Sequence, residues 1–279
     1  KNIRQAETSA NQVLLTVTVL SSLMTGVCLL FRRPLLSLIF GAVEPAVMTN
    51  SEVYFLYTAL SFPFIAIYDA GASIFRAQNN TRCPMIISVI SNFMNIFGNA
   101  ILIWGVGIGV AGAAISTLLS RIFCAVMVMF WLHRPCYALR VYNYRSIRPQ
   151  WNYIRKILSI GVPSGIENGM FQFGKLAIQS TVSTLGTVAI AAQAMTNILE
   201  NLNGVAAIGV GIGLMTVVGQ CIGAGRDDEA VYYIKKFTGI GEVVIMISCG
   251  LVFAAGRMVT VLGGMEPESA QMCLYMLTA

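Results

Sequence analysis

The chain has 279 residues, of which 56% are hydrophobic and 11% charged, and a net charge of +6; its mean hydropathy is +0.73. Soluble domains carry roughly a quarter charged residues, so this chain has too little polar surface to face water on all sides. Those values exclude an ordinary soluble domain and predict seven or eight membrane spans joined by short loops.

The apolar runs, in chain order, are Val13–Phe31, Val53–Phe75, Met85–Trp104, Val110–Leu132, Ile157–Val182, Val188–Val218 and Phe237–Ala255, with an eighth starting near Ser269. They are long and do not alternate, which predicts helices rather than barrel strands. Asp69 stands midway along the second run, just after Pro63. A carboxylate in a span seldom faces lipid, so it is a cavity candidate.

In the third run, Ser88, Asn92, Asn95 and Asn99 follow a spacing of four, three and four, one face of a helix. Lipid cannot hydrogen-bond these groups, so the face must meet protein or water. Ser88 and Asn92 read best as helix–helix glue. Asn95 and Asn99 read equally well as glue or as a cation site. In the fourth run, Gly112, Ser116 and Ser120 form a small-residue row suited to close packing. Thr117 lies beside it, and Arg121 reads either as a structural group or as a partner for the carboxylate of Asp69 or Glu200.

The loop from His133 to Lys156 is basic and aromatic. It reads as a linker touching anionic head groups rather than as a nucleic-acid patch. Beyond it, Asn168, Gln172, Lys175 and Gln179 repeat the four, three, four spacing, with Glu167 beside them. Two readings stay open: a structural ion pair between Glu167 and Lys175, or a titratable transport site. Pro163 is expected in the first turn of that helix, where its missing N–H does little harm. The sixth run carries Asn197, Glu200, Asn201 and Gly204 on one polar face, then Gly209, Gly211 and Gly213, a possible hinge.

Seven scattered cysteines form no CxxC pair and read as small apolar fillers. The single histidine, His133, lies in a loop. No metal-ligand or nucleophile–base spacing supports an enzyme, and no metal site is assigned. The chain opens at Lys1 with no signal-peptide pattern and ends in what reads as the start of an apolar run, so a piece of a longer protein is expected.

Basic residues alternate between loops. One set of loops holds thirteen, including Lys1, Arg4, Arg76, Arg82 and those of residues 133–156; the other holds Arg32, Arg33 and Arg257. The positive-inside rule puts the first set, with residue 1 and the 133–156 loop, in the cytoplasm. The segment Arg33–Gly41 resembles Arg257–Gly264, and each is followed by Glu-Pro. Asn2–Ala6 resembles Arg226–Ala230, and Leu56–Ala59 resembles Met276–Ala279, all at offsets of 220 to 224 residues. Six spans separate the copies, so both face the same way, which predicts a parallel repeat about an axis along the membrane normal.

Three stretches carry a family resemblance. They are Ser61–Met85 (with FPFIAIYDAGASIFRAQNNTRCPM), Ser91–Thr117 (SNFMNIFGNAILIWGVGIGVAGAAIST), and Gly161–Ala230 with GVPSGIENGMF, LGTVAIAAQA and VGQCIGAGRDDEA. They resemble helices four to eight of the multidrug and toxin extrusion (MATE) transporters. The resemblance implies an all-α polytopic membrane protein of two six-helix bundles related by a pseudo-two-fold. This chain would supply helix three to the start of helix ten, with residues 1–132 in the N-terminal bundle, 133–156 as linker and 157–279 in the C-terminal bundle. It implies a secondary active transporter of the cell (inner or plasma) membrane, a monomer in the lipid bilayer. Such a protein exports cationic, amphipathic small molecules by alternating access, with Na⁺ or H⁺ as coupling ion and no other cofactor. By resemblance, Asn95, Asn99 and Thr117 match an N-terminal cation site in which Asn99 stands where a carboxylate is usual. Glu167 and Glu200 are then the better coupling candidates, and Gln172, Lys175, Gln179, Asn197 and Asn201 the cavity candidates beside Asp69. A flippase for lipid-linked saccharides is the runner-up. It would want several cations in its cavity, whereas only Lys175 and Arg121 fall in spans. A passive channel fits a six-helix duplication less well.

Overall fold

The computed structural model describes residues 3–40, 45–134, 149–183, 187–262 and 271–273. Every regular element among them is helical: α1 (Ile3–Leu30), α2 (Arg32–Phe40), α3 (Pro45–Leu60), α4 (Phe62–Ala77), α5 (Arg82–Ala100) with a π-helical turn at Ile101–Gly105, α6 (Val110–Leu132), α7 (Trp151–Ser183), α8 (Thr187–Gly223) and α9 (Asp227–Leu262). Six segments are long and apolar enough to cross a membrane: Gln5–Leu30, Met48–Ala77, Arg82–Gly105, Val110–Leu132, Val188–Gly223 and Asp227–Ala254. The 33-residue α7 is long enough as well, but its row of Glu167, Asn168, Gln172, Lys175 and Gln179 dilutes the apolar character expected of Ile157–Val182. Large apolar side chains such as Phe93, Ile96, Phe97 and Phe173 point outward, as lipid-facing positions do.

The chain divides into two compact units, Lys1–Gly161 and Val162–Ala279. In the first, α6 packs against α3, α4 and α5, and α1 packs against α4. Its core gathers Leu14, Ile74, Phe75, Ile87, Val128 and Leu132. In the second, α8 packs against α9, and Ala192 and Leu199 bury against Cys273. The boundary between the units falls within α7, which begins at Trp151, inside the loop expected at 133–156. The helix entry is tied down where Gln150 N–H donates to the buried Gln12 Oε1 at 3.1 Å. Residues 135–148, with Arg140, Arg145 and Arg148, lie outside the described residues. Pro163 therefore sits in the interior of α7 rather than in its first turn, because the polar residues before Ile157 are themselves helical. Of the second copy of the repeat, residues 263–267 and 276–279 lie outside the described residues; Ile3 and Asp227, at the same place in the first matched pair of segments, each begin a long helix. At that second start, Gly225 (φ 70) closes α8, while Asp227, Asp228 and Glu229 occupy the first turn of α9, where carboxylates meet the positive end of the helix dipole.

The second expected span is two helices broken at Ser61, and Pro63 is the reason. Its nitrogen has no hydrogen for the carbonyl four residues back, Ala59 O. Thr25 Oγ1, on α1, lies 3.0 Å from that oxygen and 2.9 Å from Ser21 O, so one hydroxyl hydrogen is shared between them. Thr25 is only 8% exposed, and no water competes at that depth. Thr25→Val should therefore destabilise the N-terminal unit by about 1–2 kcal/mol, while Thr25→Ser should be nearly neutral. Thermal unfolding of the detergent-solubilised protein would check this; equal melting temperatures for wild type and Thr25→Val would refute it.

Candidate functional site

The N-terminal unit brings Asn95, Asn99 and Thr117 together across the α5–α6 interface. Asn99 Nδ2 donates to Asn95 Oδ1 at 3.1 Å, Asn95 Nδ2 donates to Thr117 Oγ1 at 3.3 Å, and Thr117 Oγ1 donates to Ala113 O at 2.9 Å. The small-residue row makes this possible: Ser116 Oγ donates to Asn95 O at 3.0 Å and Ser91 Oγ to Ser120 O at 3.1 Å. Asn95 thus bridges the two helices through both its side chain and its backbone carbonyl. Asn99 has a different character, because its Oδ1 is buried and accepts no hydrogen bond. The π-helical turn begins two residues later, where Val106 N–H reaches Ile101 O at 3.0 Å. Asn95→Ala should lower stability by about 0.6–2 kcal/mol, the range of a cross-helix amide bond in a membrane. Asn99→Ala should cost less, since only its N–H bonds within the fold. Melting temperatures of the two variants decide the order.

Arg121 pairs with no carboxylate within 4 Å among the described residues. It donates instead to Ser61 Oγ at 2.5 Å, at the break between α3 and α4. The ion pair with Asp69 or Glu200 is not formed, and the structural reading of Arg121 fits, since the fold brings the kink of the second span into its reach. Asp69 is exposed on α4, makes no ion pair among the described residues, and borders neither of the polar cavities below.

In the C-terminal unit a cavity of about 680 Å³ opens between α7 and α8. Gln172, Lys175 and Gln179 line it from α7; Asn197, Glu200 and Asn201 line it from α8. Lys175 Nζ lies 2.9 Å from Glu200 Oε1 and 5.2 Å from the centre of the Phe171 ring. An ion pair between Lys175 and Glu167 is not formed. Glu167 is exposed and outside this cavity, because the rotation of α7 that aims Lys175 at α8 turns Glu167 elsewhere. Gln193, missed in the sequence, also lines the cavity and donates to Asn197 Oδ1 at 3.2 Å. The signal was available: Gln193, Asn197, Glu200 and Gly204 repeat the four, three, four spacing. Glu200 also borders a smaller cavity of about 270 Å³ between α8 and α9, with Thr196, Asn203 and Cys249. The glycines after Gly204 do not break α8, which is continuous to Gly223. Gly213 faces the Phe237 ring of α9, where an added methyl group would stand at an ordinary contact distance of 3.5 Å.

A polar, partly charged cavity walled by membrane-length helices is suited to holding a solute and an ion. The family model MatE matches residues 1–101 and 163–278. The chain belongs to the MatE family. Among curated relatives of this MATE chain is the probable multidrug resistance protein NorM of Thermotoga maritima, 29% identical over 78% of this chain and 48% of its own length. Another is the FAD transporter of Shewanella oneidensis, 24% identical over 88% of this chain and 55% of its own length. The chain thus spans about half the length of these curated relatives. An outward-facing structure of a multidrug resistance MATE transporter of the MOP superfamily superposes with a TM-score of 0.87 at 19% identity. It covers 97% of this chain and 60% of that one. The MATE fold of this chain is a multi-pass, all-helical one.

Proposed function

We propose that this MATE chain belongs to a secondary active transporter that exports organic cations or drugs in exchange for Na⁺ or H⁺ by alternating access. The observation that carries the reading is the Lys175–Glu200 pair, 2.9 Å apart in a polar cavity bordered by a membrane-length helix. Ionisable side chains in a span are costly, which favours a role in binding a solute or an ion for this pair. Aromatic and amide groups around the pair (Phe171, Gln172, Gln179, Asn197) suit an amphipathic cation. In the N-terminal unit the buried, unpartnered Asn99 Oδ1 favours a metal cation over a proton, since an amide does not titrate near neutral pH. The charge asymmetry of the loops favours a cell-membrane protein with residue 1 and the 133–156 loop in the cytoplasm. A monomer suffices, because the cavity is built within one chain.

A saccharide flippase would require several cations to hold pyrophosphate, and Lys175 is the one cation lining the larger cavity among the described residues. The test is efflux of ethidium from proteoliposomes containing the full-length protein, with a Na⁺ or pH gradient imposed. Efflux that follows one gradient is expected; efflux indifferent to both would overturn the proposal.

A further inference from the structure

We propose that the larger cavity of the C-terminal unit takes zwitterions. These are molecules with an apolar or aromatic body and an amino-acid-like head, whose carboxylate meets Lys175 and whose ammonium meets Glu200. The proposal rests on the reading of this cavity as the solute's, and it narrows the organic cations to those that also carry a carboxylate.

Lys175 on α7 and Glu200 on α8 are the only charged side chains lining the cavity among the described residues. Their charges are equal and opposite, so the lining is neutral as a whole. Both are accessible, with side chains 40% and 53% exposed. Their mutual bond also leaves each with free capacity. An ammonium has three N–H donors, and Lys175 gives one of them to Glu200 Oε1 at 2.9 Å. Glu200 Oε2 accepts nothing among the described residues.

The other polar groups of the lining are amides. Gln172 and Gln179 stand on α7, Gln193 and Asn197 on α8. An amide both donates and accepts, so it hydrogen-bonds a solute without selecting its charge. Selection by charge therefore falls to Lys175 and Glu200.

A lone cation is poorly served by that pair. Drawn to Glu200, it stands beside the Lys175 ammonium and is repelled by it. A lone anion drawn to Lys175 meets Glu200 in the same way. An amino-acid head carries its ammonium and carboxylate one carbon apart, a separation comparable to the 2.9 Å between Lys175 Nζ and Glu200 Oε1. Four charges then alternate around a square, each beside two of opposite sign, and the Lys175–Glu200 bond stays intact. Such a head also adds no net charge to a cavity bordered by a membrane-length helix.

The space of about 680 Å³ lies within the roughly 300–1,000 Å³ of pockets for drug-sized molecules, and exceeds what the head needs. Phe171, Leu176 and Ile178 line it as well, so the rest of the molecule is apolar or aromatic.

Three fluorescent probes that differ only in their heads test this. Nε-dansyl-lysine carries both charges, dansylcadaverine lacks the carboxylate, and 6-(dansylamino)hexanoate lacks the ammonium. The dansyl group brightens on leaving water, so titration into the full-length protein in nanodiscs yields a Kd for each. Nε-dansyl-lysine should bind about tenfold or more tighter than either of the others. Lys175→Met should make dansylcadaverine the tightest of the three, and Glu200→Gln should do the same for 6-(dansylamino)hexanoate. A variant that merely misfolds cannot reorder the probes in opposite directions. Lys175→Arg and Glu200→Asp keep both charges and should keep the zwitterion tightest. Wild-type binding of dansylcadaverine as tight as that of Nε-dansyl-lysine overturns the proposal, and so does the absence of brightening with all three. An order left unchanged by both Lys175→Met and Glu200→Gln overturns it too. Gradient-driven ethidium efflux without a zwitterion preference would sink this inference alone, and a zwitterion preference without gradient-driven efflux would sink the transport reading alone.

Discussion

Glu200→Gln should reduce ion-driven efflux about tenfold or more, equivalent to about 1.4 kcal/mol or more of lost coupling. Gln matches Glu in size, so the change removes charge with little change in packing. Glu200 is the only carboxylate lining either of the two polar cavities of the C-terminal unit among the described residues. Without it the Lys175 ammonium loses its partner at 2.9 Å and repels any cation entering the larger cavity. Glu200→Asp shortens the reach but keeps the charge, so partial coupling should remain. Glu167→Gln should have little effect, because Glu167 lies outside the cavity. The measurement is the initial efflux rate per amount of reconstituted protein, under an imposed gradient. Unaltered coupling in Glu200→Gln would remove this residue from the mechanism.

Gly98→Val should strongly destabilise the N-terminal unit, and Gly98→Ala should do so by about 1–3 kcal/mol, the usual range for overpacking. A methyl group at Gly98 would collide with Ser116 Oγ and stand 3.2 Å from Ser116 Cβ. Ser116 cannot simply turn away without losing its bond to Asn95 O. The neighbouring Asn95–Thr117 bond then stretches too, since it spans the same pair of helices. Shape, not chemistry, is at stake, so a compensating change exists. Ser116→Gly removes both atoms in the way, and Gly98→Ala with Ser116→Gly should recover most of the melting temperature. Failure of that pair to recover anything would show that the close approach of α5 and α6 is not what Gly98 provides.

Much of the molecule was legible in the residues because the solvent is lipid. Each apolar run long enough to cross has to satisfy its own backbone hydrogen bonds, which makes it a helix regardless of its neighbours. Asn95 and Asn99 could be placed on one helix stripe by spacing alone, and so could Gln172, Lys175 and Gln179, whereas Thr117 joined the first pair only through the family resemblance. The kink at Ser61 was half visible. Pro63 announces a missing donor, but Thr25, the residue that satisfies Ala59 O, stands far back in the chain on α1.

The sequence by itself determined a helical membrane protein, its candidate spans and the polar stripe on each. These follow from local composition, periodicity and the hydrogen-bonding poverty of hydrocarbon. Only the tertiary structure decided which stripes meet. It paired Lys175 with Glu200 and left Glu167 aside, gave Arg121 a serine in place of a carboxylate, and set Asn203 against Cys249. The physical reason is that a stripe's spacing says which residues share a face of a helix. The rotation and offset of that helix against its neighbours are set by packing, such as Gly98 against Ser116, which no single span contains.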